Sequence, residues 1–585
     1  MLGASLTILL LGIYGCVAAD GPTVVHTIKD GSIRGTLSYT LDNAVKPIYN
    51  FRGIPYATQP IGPLRFKAPK EVEPWVGELD ATQAMVECPQ DYVLMKELFQ
   101  DYGYGEIEEH DNESCLVLSV YTPTLNEKAN LPVMFWIHGG GYALGSGRIP
   151  DGTALASLGD VVVVSINYRL AALGMLSTDN ENAPGNQNLL DQVMALKWVQ
   201  KNIASFGGDP FQVTIFGESA GSWSVNALSI SPLATGLFNK VIGQSGTITY
   251  TPYSIQSQEM QNVNVNTLAT MTGCESENKD EVLDCLRTKP YMDLIRPTPL
   301  KEDDPPLDWM WALRFGETSF PKHPNDLLED KEIQEQLKRI KFIYGINDME
   351  GYMFIPQMMP TFFAEKTLEN WRNDMKTVLV MSIDIAPPSE DNKALYDGLA
   401  DALIDHYFQV SDPTEEELVK ATARVCGDLT LNAPVIRTAN KLRDIGADVK
   451  FYVLNKGPSH LMKFRPSYIE TDHGDDIFFC YGSSHTNNSQ EPMFSNVIYT
   501  KEDLRMEELF VNYWLNFAKT GDPNGPNLPP WPTSSTDGRN TAISLELEPT
   551  VIADYGKDIA KLCSETIPRI IKDNTPGPEK MKEEL

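Results

Sequence analysis

The run Gln212-Val213-Thr214-Ile215-Phe216-Gly217-Glu218-Ser219-Ala220-Gly221, continued by residues 222–228, decides how this chain is read. A short apolar strand leads into a glycine-flanked serine and then into a stretch where a helix can begin, which is G-x-S-x-G in a strand, turn, helix setting. The glycines let the backbone turn sharply and pass close to its neighbours, so Ser219 is expected on a strained elbow with its hydroxyl raised above the end of a sheet. The start of the following helix favours negative charge developing there. The bland alternative is a Gly-Ser-Gly turn, which requires neither the strand before it nor the helix after it.

Working outward, residues 133–137 and 161–167 are nearly continuous apolar runs, the pattern of central strands covered on both faces. Residues 189–206 change to helical period, with Leu190, Val193, Leu196 and Ile203 on one side and Trp198 widening it. Further strands are expected at 240–243, 341–345 and 448–453, and earlier ones at 23–28, 32–39, 48–51 and 115–121, the first two joined by Asp30-Gly31 as a hairpin. Strand and helix in alternation imply a mostly parallel sheet flanked by helices, the α/β class, and with the serine elbow the α/β-hydrolase fold. Residues 260–328 and 371–425 read as helical, loop-rich insertions forming a cap. No repeat or low-complexity linker divides residues 20–572, so one elaborated domain is expected.

A serine elbow performs acyl transfer only with donors for the oxyanion and a base for the hydroxyl proton. His138-Gly139-Gly140-Gly141-Tyr142 follows a central strand directly, and its side-chain-free backbone leaves the amides of Gly140 and Gly141 available, with that of Ala220, as a three-donor hole. No phosphate-loop or dinucleotide glycine pattern competes. Of the eight histidines, His473 in Thr471-Asp472-His473-Gly474-Asp475-Asp476 lies in a polar loop after a late strand, where such a base belongs; His460 is its main rival and His485 a weaker one. Glu350 follows the strand at 341–345 and is the candidate acid, with Asp348 close enough to compete. The order Ser219, Glu350, His473 is the one this fold uses.

The 585 residues are 42% hydrophobic, and 48 Lys and Arg against 79 Asp and Glu give a formal net charge of -31. That field repels nucleic acid and anionic lipid. Residues 1–19 are apolar with small residues near Ala19, as in a cleaved signal peptide, and no later run reaches the length of a membrane span. Seven cysteines remain beyond the leader. Cys88 with Cys115, and Cys274 with Cys285, are spaced as loop staples would be, though spacing does not fix pairing, and Cys426, Cys480 and Cys563 leave at least one thiol over. No Cys/His cluster points to a metal, and neither metal nor organic cofactor is expected. Asn112 and Asn487 head glycosylation sequons. The tail 573–585 ends Lys582-Glu583-Glu584-Leu585, which resembles a signal read by a lumenal retrieval receptor; the chain is expected in the secretory pathway, held in the endoplasmic reticulum or released.

These residues, with Phe51-Arg52-Gly53-Ile54-Pro55-Tyr56-Ala57, Gly62-Pro63-Leu64-Arg65-Phe66, Asn167-Tyr168-Arg169-Leu170, Phe206-Gly207-Gly208-Asp209-Pro210, Gln244-Ser245-Gly246 and residues 517–524, make the chain resemble the type-B carboxylesterase and cholinesterase family over nearly all its mature length, closest in character to arthropod-type carboxylesterases. The resemblance implies a nucleophile at Ser219, an acid at Glu350, a base at His473 and oxyanion donors at Gly140, Gly141 and Ala220. It implies disulfides Cys88 with Cys115 and Cys274 with Cys285, a supporting serine at Ser245 and a salt bridge between Arg65 and Glu113. Trp309 and Trp311 fall near the family's acyl-pocket positions, with a place in the cap core as the alternative. Where choline-ester hydrolases carry a tryptophan in the first disulfide loop this chain has Gly105, so a quaternary ammonium loses that cation-π platform, which Tyr102 and Tyr104 could replace only in part. Asp348-Met349-Glu350-Gly351 and Asp476 also depart from the usual pattern. The implied activity is hydrolysis of small to medium uncharged carboxylic esters through an acyl-enzyme. The alternatives are a juvenile-hormone or methyl-farnesoate type of esterase and a non-catalytic adhesion or binding protein on the same scaffold.

Overall fold

The computed structural model describes residues 22–39, 47–99, 109, 111–251, 254–297, 311–383, 385–408, 410, 412–486, 497–533 and 541–574. The leader, Tyr102, Tyr104, Gly105, Trp309, Asn487 and the residues after 574 lie outside these.

A thirteen-stranded sheet organises the chain. Its strands are β1 (Thr23–Ile28), β2 (Gly31–Ser38), β3 (Ile48–Pro55), β4 (Glu78–Asp80), β5 (Val117–Thr122), β6 (Leu131–Ile137), β7 (Val162–Ile166), β8 (Gly208–Glu218), β9 (Lys240–Gln244), β10 (Lys341–Asn347), β11 (Asp448–Leu454), β12 (Thr541–Leu545) and β13 (Thr550–Ala553). They run in the order β1-β2-β3-β5-β7-β6-β8-β9-β10-β11-β12-β13, with β4 beside β2. From β7 to β12 along that order all neighbours are parallel, the run β1-β2-β3-β5-β7 and the final pair are antiparallel, and β4 pairs parallel with β2. This is the expected mostly parallel α/β sheet. Three strands, β4, β12 and β13, go beyond those read from the sequence.

The apolar runs are continuous because the central strands bury both faces. Val133, Phe135 and Ile137 point into one core with Val162, Val164, Ile166 and Ile215, while Met134, Trp136, Val163 and Phe216 point into a second. The first core is covered by α1 (Gln187–Asn202) and α2 (Ala220–Ile230), which place Leu189, Val193, Leu196, Trp198, Val225 and Leu228 against the sheet. Val193, Leu196, Trp198 and Ile203 are buried as the periodicity indicated, whereas Leu190 is only half-buried and Leu189 takes the inward position beside it. The second core is closed by residues of the helix Lys501–Thr520, chiefly Met506, Phe510, Tyr513 and Trp514.

The expected insertion forms a third core of its own. The helices Leu368–Ser382 and Lys393–Tyr407 pack with α3 (Glu415–Gly427) around Trp371, Met375, Leu379, Leu399 and Leu418. A π-helical turn, Asp428–Asn432, joins α3 to α4 (Ala433–Ile445). Pro434, at the start of α4, has no N–H to continue regular helical bonding, and such wide turns absorb that mismatch.

Both disulfides are formed, Cys88–Cys115 and Cys274–Cys285, and Cys426, Cys480 and Cys563 are free. Arg65 pairs with Glu113 through two hydrogen bonds, Nε to Oε1 at 2.7 Å and Nη2 to Oε2 at 2.5 Å. Its Nη1 also donates to the carbonyls of Leu286, Arg287 and Lys289, so one guanidinium ties residues beside the first disulfide to the helix Lys279–Thr288 carrying the second. No helix among the described residues is long and apolar enough to cross a membrane.

Candidate active site

Strands β6, β8, β9 and β10 end on one edge of the sheet, and the loops leaving them hold the residues singled out above. This carboxyl edge is where open α/β sheets bind their ligands. Ser219 stands between β8 and α2 with φ 56° and ψ -122°, a backbone strain of about 1–3 kcal/mol for a residue with a side chain. The flanking glycines make the turn possible. A Cβ on Gly217 would lie 2.6 Å from the Ile137 carbonyl oxygen, and one on Gly221 would lie 2.1 Å from the same oxygen. The Ser219 amide donates to the Gln244 carbonyl at 2.8 Å, fixing the elbow to β9. Ser219 is half-buried between buried Glu218 and buried Ala220.

The glycine loop after β6 lies against this elbow. A Cβ on Gly139 would meet the Glu218 carbonyl oxygen at 2.7 Å and Ser219 Cβ at 3.1 Å. Gly140 and Gly141 have φ of 97° and 63°, which favours residues without Cβ. Among the described residues the N–H groups of Gly140, Gly141 and Ala220 have no backbone acceptor, so they remain available as donors. His138 is structural: it stacks on Tyr168 with ring centroids 4.2 Å apart, and burial lowers its pKa to about 4, keeping it neutral.

His473 and Glu350 meet. The imidazole Nδ1 is 2.6 Å from Glu350 Oε2, and the other carboxylate oxygen accepts the Asn347 backbone N–H at 2.6 Å. Glu350 is fully buried and the His473 side chain is 8% exposed. Side-chain to backbone hydrogen bonds hold the two loops together: Asn347 Nδ2 donates to the Asp472 carbonyl at 2.8 Å and the Met353 amide to Asp472 Oδ1 at 3.1 Å, while the His473 amide donates to the same oxygen at 2.9 Å within its own loop. Asp475 accepts the Asp472 amide and pairs with Arg465, whose Nη2 lies 2.6 Å from Oδ2.

One partner was not read from the sequence. His473 Nε2 lies 3.1 Å from Glu218 Oε1, a side chain of the residue bonded to Ser219, while Ser219 Oγ makes no hydrogen bond among the described residues. Burial pushes the Glu218 carboxyl up to about 8. Burial also disfavours protonation of His473, but the Glu218 and Glu350 carboxylates reverse this and raise it to about 10. Glu218 and His473 thus compete for a proton that belongs to the pair. The available signal was the acidic residue at the variable position of G-x-S-x-G, one peptide from the hydroxyl.

The rivals are placed elsewhere. Asp348 forms a two-pronged pair with Arg424, at 3.2 and 2.7 Å. His460 packs edge-on against Phe478 at 4.7 Å, and burial lowers its pKa to about 4; His485 Nε2 lies 3.7 Å from Glu507. Asp476 accepts from Gln244 Nε2 at 3.0 Å and from the Tyr452 hydroxyl at 2.5 Å. Ser245 is buried at the end of β9 with φ 58°, yet its Oγ has no hydrogen-bond partner among the described residues. Trp311 is 4% exposed within the first core. Asn112 is exposed, and its side chain accepts the Ser114 amide at 2.8 Å.

Sheet topology and elbow define the class of this protein, an α/β-hydrolase. Comparison with known sequences gives the family within it: the sequence model of the carboxylesterase family matches residues 22–560, and the chain belongs to that family. It is similar to Carboxylesterase 3 of Pongo abelii, 36% identical over 578 residues and covering 97% of this chain and 95% of that one. The medium-chain fatty acyl-CoA hydrolase precursor of Anas platyrhynchos is 35% identical over 560 residues, 92% of each chain. The cocaine esterase of Homo sapiens is 33% identical over 536 residues, 91% of this chain and 89% of its own. The chain is a carboxylic ester hydrolase, and neither the hormone-esterase nor the adhesion reading is favoured.

Proposed function

We propose that Ser219 is the nucleophile of a two-step hydrolysis of small to medium uncharged carboxylic esters. The observation behind this is the imidazole of His473, held through Nδ1 by Glu350 and presenting Nε2 toward the residue that precedes Ser219. For catalysis Nε2 exchanges its Glu218 contact for the serine hydroxyl, since such bonds often tighten only around bound substrate. Ser219 Oγ then attacks the ester carbonyl as His473 takes its proton, and the oxyanion rests on the amides of Gly140, Gly141 and Ala220. His473 returns the proton to the leaving alcohol, and the acyl-enzyme is cleaved by water deprotonated at the same nitrogen.

The surroundings support uncharged substrates. Glu218, Glu350, Asp472 and Asp476 act on the imidazole on a chain of formal charge -31, a field that disfavours anionic acyl donors. A panel of short acyl esters of neutral alcohols, long terpenoid methyl esters and an acyl-CoA thioester tests this. The short neutral esters are expected to have the highest kcat/KM; preference for the terpenoid or the CoA ester would overturn the substrate assignment.

Glu218 gives the pH dependence a direction. Its carboxylate stabilises the imidazolium, so Glu218→Gln removes that attraction and makes the neutral base available at lower pH. The acid limb of the kcat/KM profile is expected to move to lower pH; an unmoved limb would show that Glu218 does not act on His473.

The leader and the Lys582-to-Leu585 end support passage through the secretory pathway with retrieval to the endoplasmic reticulum. Deleting residues 582–585 is expected to increase release into the medium, and unchanged partitioning would remove the retrieval assignment.

A further inference from the structure

We infer that Gly427, the last residue of α3, is a positioning residue for Glu350, because it lets the turn 348–351 seat directly on the helix backbone. This rests on Glu350 orienting His473 as proposed above.

The contact is made between two glycines. A Cβ built on Gly427 would stand 2.9 Å from Glu350 Cβ and 2.9 Å from the Gly351 amide nitrogen. A Cβ built on Gly351 would stand 2.4 Å from the Ala423 carbonyl oxygen and 2.4 Å from the Gly427 amide nitrogen. Gly427 has ordinary helical dihedrals, φ -65° and ψ -45°, so its backbone conformation gives no reason for a glycine. Glycine within a helix is unfavourable by about 1 kcal/mol against alanine, so close approach of the Glu350 turn is the feature that accounts for it. One helical turn earlier, Arg424 grips Asp348 in the same loop. α3 therefore holds the loop at two points, Asp348 and Gly351, on either side of the acid.

Carbon atoms in contact prefer about 3.5–4.0 Å, so a methyl group at residue 427 must displace either the helix or the loop by about an ångström. Glu350 has little tolerance for this. Its two oxygens are committed to the Asn347 amide and His473 Nδ1, each at 2.6 Å, and misplacement of about 1 Å at a reacting centre can cost about a hundredfold in rate.

The test is Gly427→Ala in the full-length enzyme, alone and combined with Glu350→Gln. The single variant is expected to lose about 10- to 100-fold in kcat with KM within about twofold. Its acid limb is expected to move to lower pH, because a displaced Glu350 carboxylate stabilises the imidazolium less. In the Glu350→Gln background the same substitution should change kcat by less than about twofold, since the residue it acts through is already disabled. Unchanged activity in Gly427→Ala, or a loss of equal size in both backgrounds with an unmoved acid limb, would overturn the inference. If Gly427→Ala does not fold, Arg424→Met replaces it and loosens the same loop without overpacking. A smaller kcat loss with the same limb shift and the same masking by Glu350→Gln is expected, and additive losses would overturn the inference. Full activity in Glu350→Gln alone would instead refute the orienting role of Glu350, a distinct result.

Discussion

Replacing Ser219 by alanine is expected to lower kcat by about a millionfold while the protein remains folded. In serine hydrolases that share this chemistry, removing the nucleophile alone costs about as much as removing the whole catalytic group. The elbow itself does not depend on the hydroxyl: the Ser219 amide to Gln244, the Trp223 amide to the Ser219 carbonyl and the two flanking glycines are all backbone features. Thermal unfolding of Ser219→Ala should therefore lie close to that of the native chain. An alanine variant with substantial esterase activity would place the nucleophile elsewhere.

Glu350→Gln carries the second large effect, a fall of about 10⁴ in kcat with little change in KM. The hydrogen bonds give the reason. The Asn347 N–H requires an oxygen at the position of Oε1, so the new amide must turn its NH₂ toward His473. Nδ1 is then forced to accept, the ring proton moves to Nε2, and the nitrogen facing the serine side no longer takes a proton. Kinetics with a short neutral ester across pH check this. Activity near native levels at neutral pH would show that the Glu350 contact only fills space.

The sequence was most legible where a function needs a rigid local pattern. The elbow, the glycine loop and the apolar central strands each have a signature within about ten residues, and each formed where expected. Glu350 and His473 were harder, since 123 positions separate them and only the folded chain brings their side chains to 2.6 Å. Local text left Asp348 and His460 open, and it took Arg424 and Phe478 to account for them. Glu218 stood beside the serine, but its turn toward His473 is a matter of side-chain direction, which residue order does not encode. The missed strands are short: β4 is three residues, and β12 and β13 are sheet-edge pieces of five and four, joined across Glu546, Glu548 and Pro549. Such pieces depend on neighbouring strands more than on their own pattern. Gly427 was silent for a related reason, because a helical glycine has meaning only through what presses against it.

The central claim is that Ser219 is the activated nucleophile, and its most direct measurement is active-site phosphonylation followed by mass spectrometry of the digested protein. Incubation with a fluorophosphonate is expected to inactivate the enzyme with one adduct per chain, on the peptide containing Ser219, and to leave Ser219→Ala unmodified. An adduct on a different residue, or equal labelling of Ser219→Ala, would contradict the account.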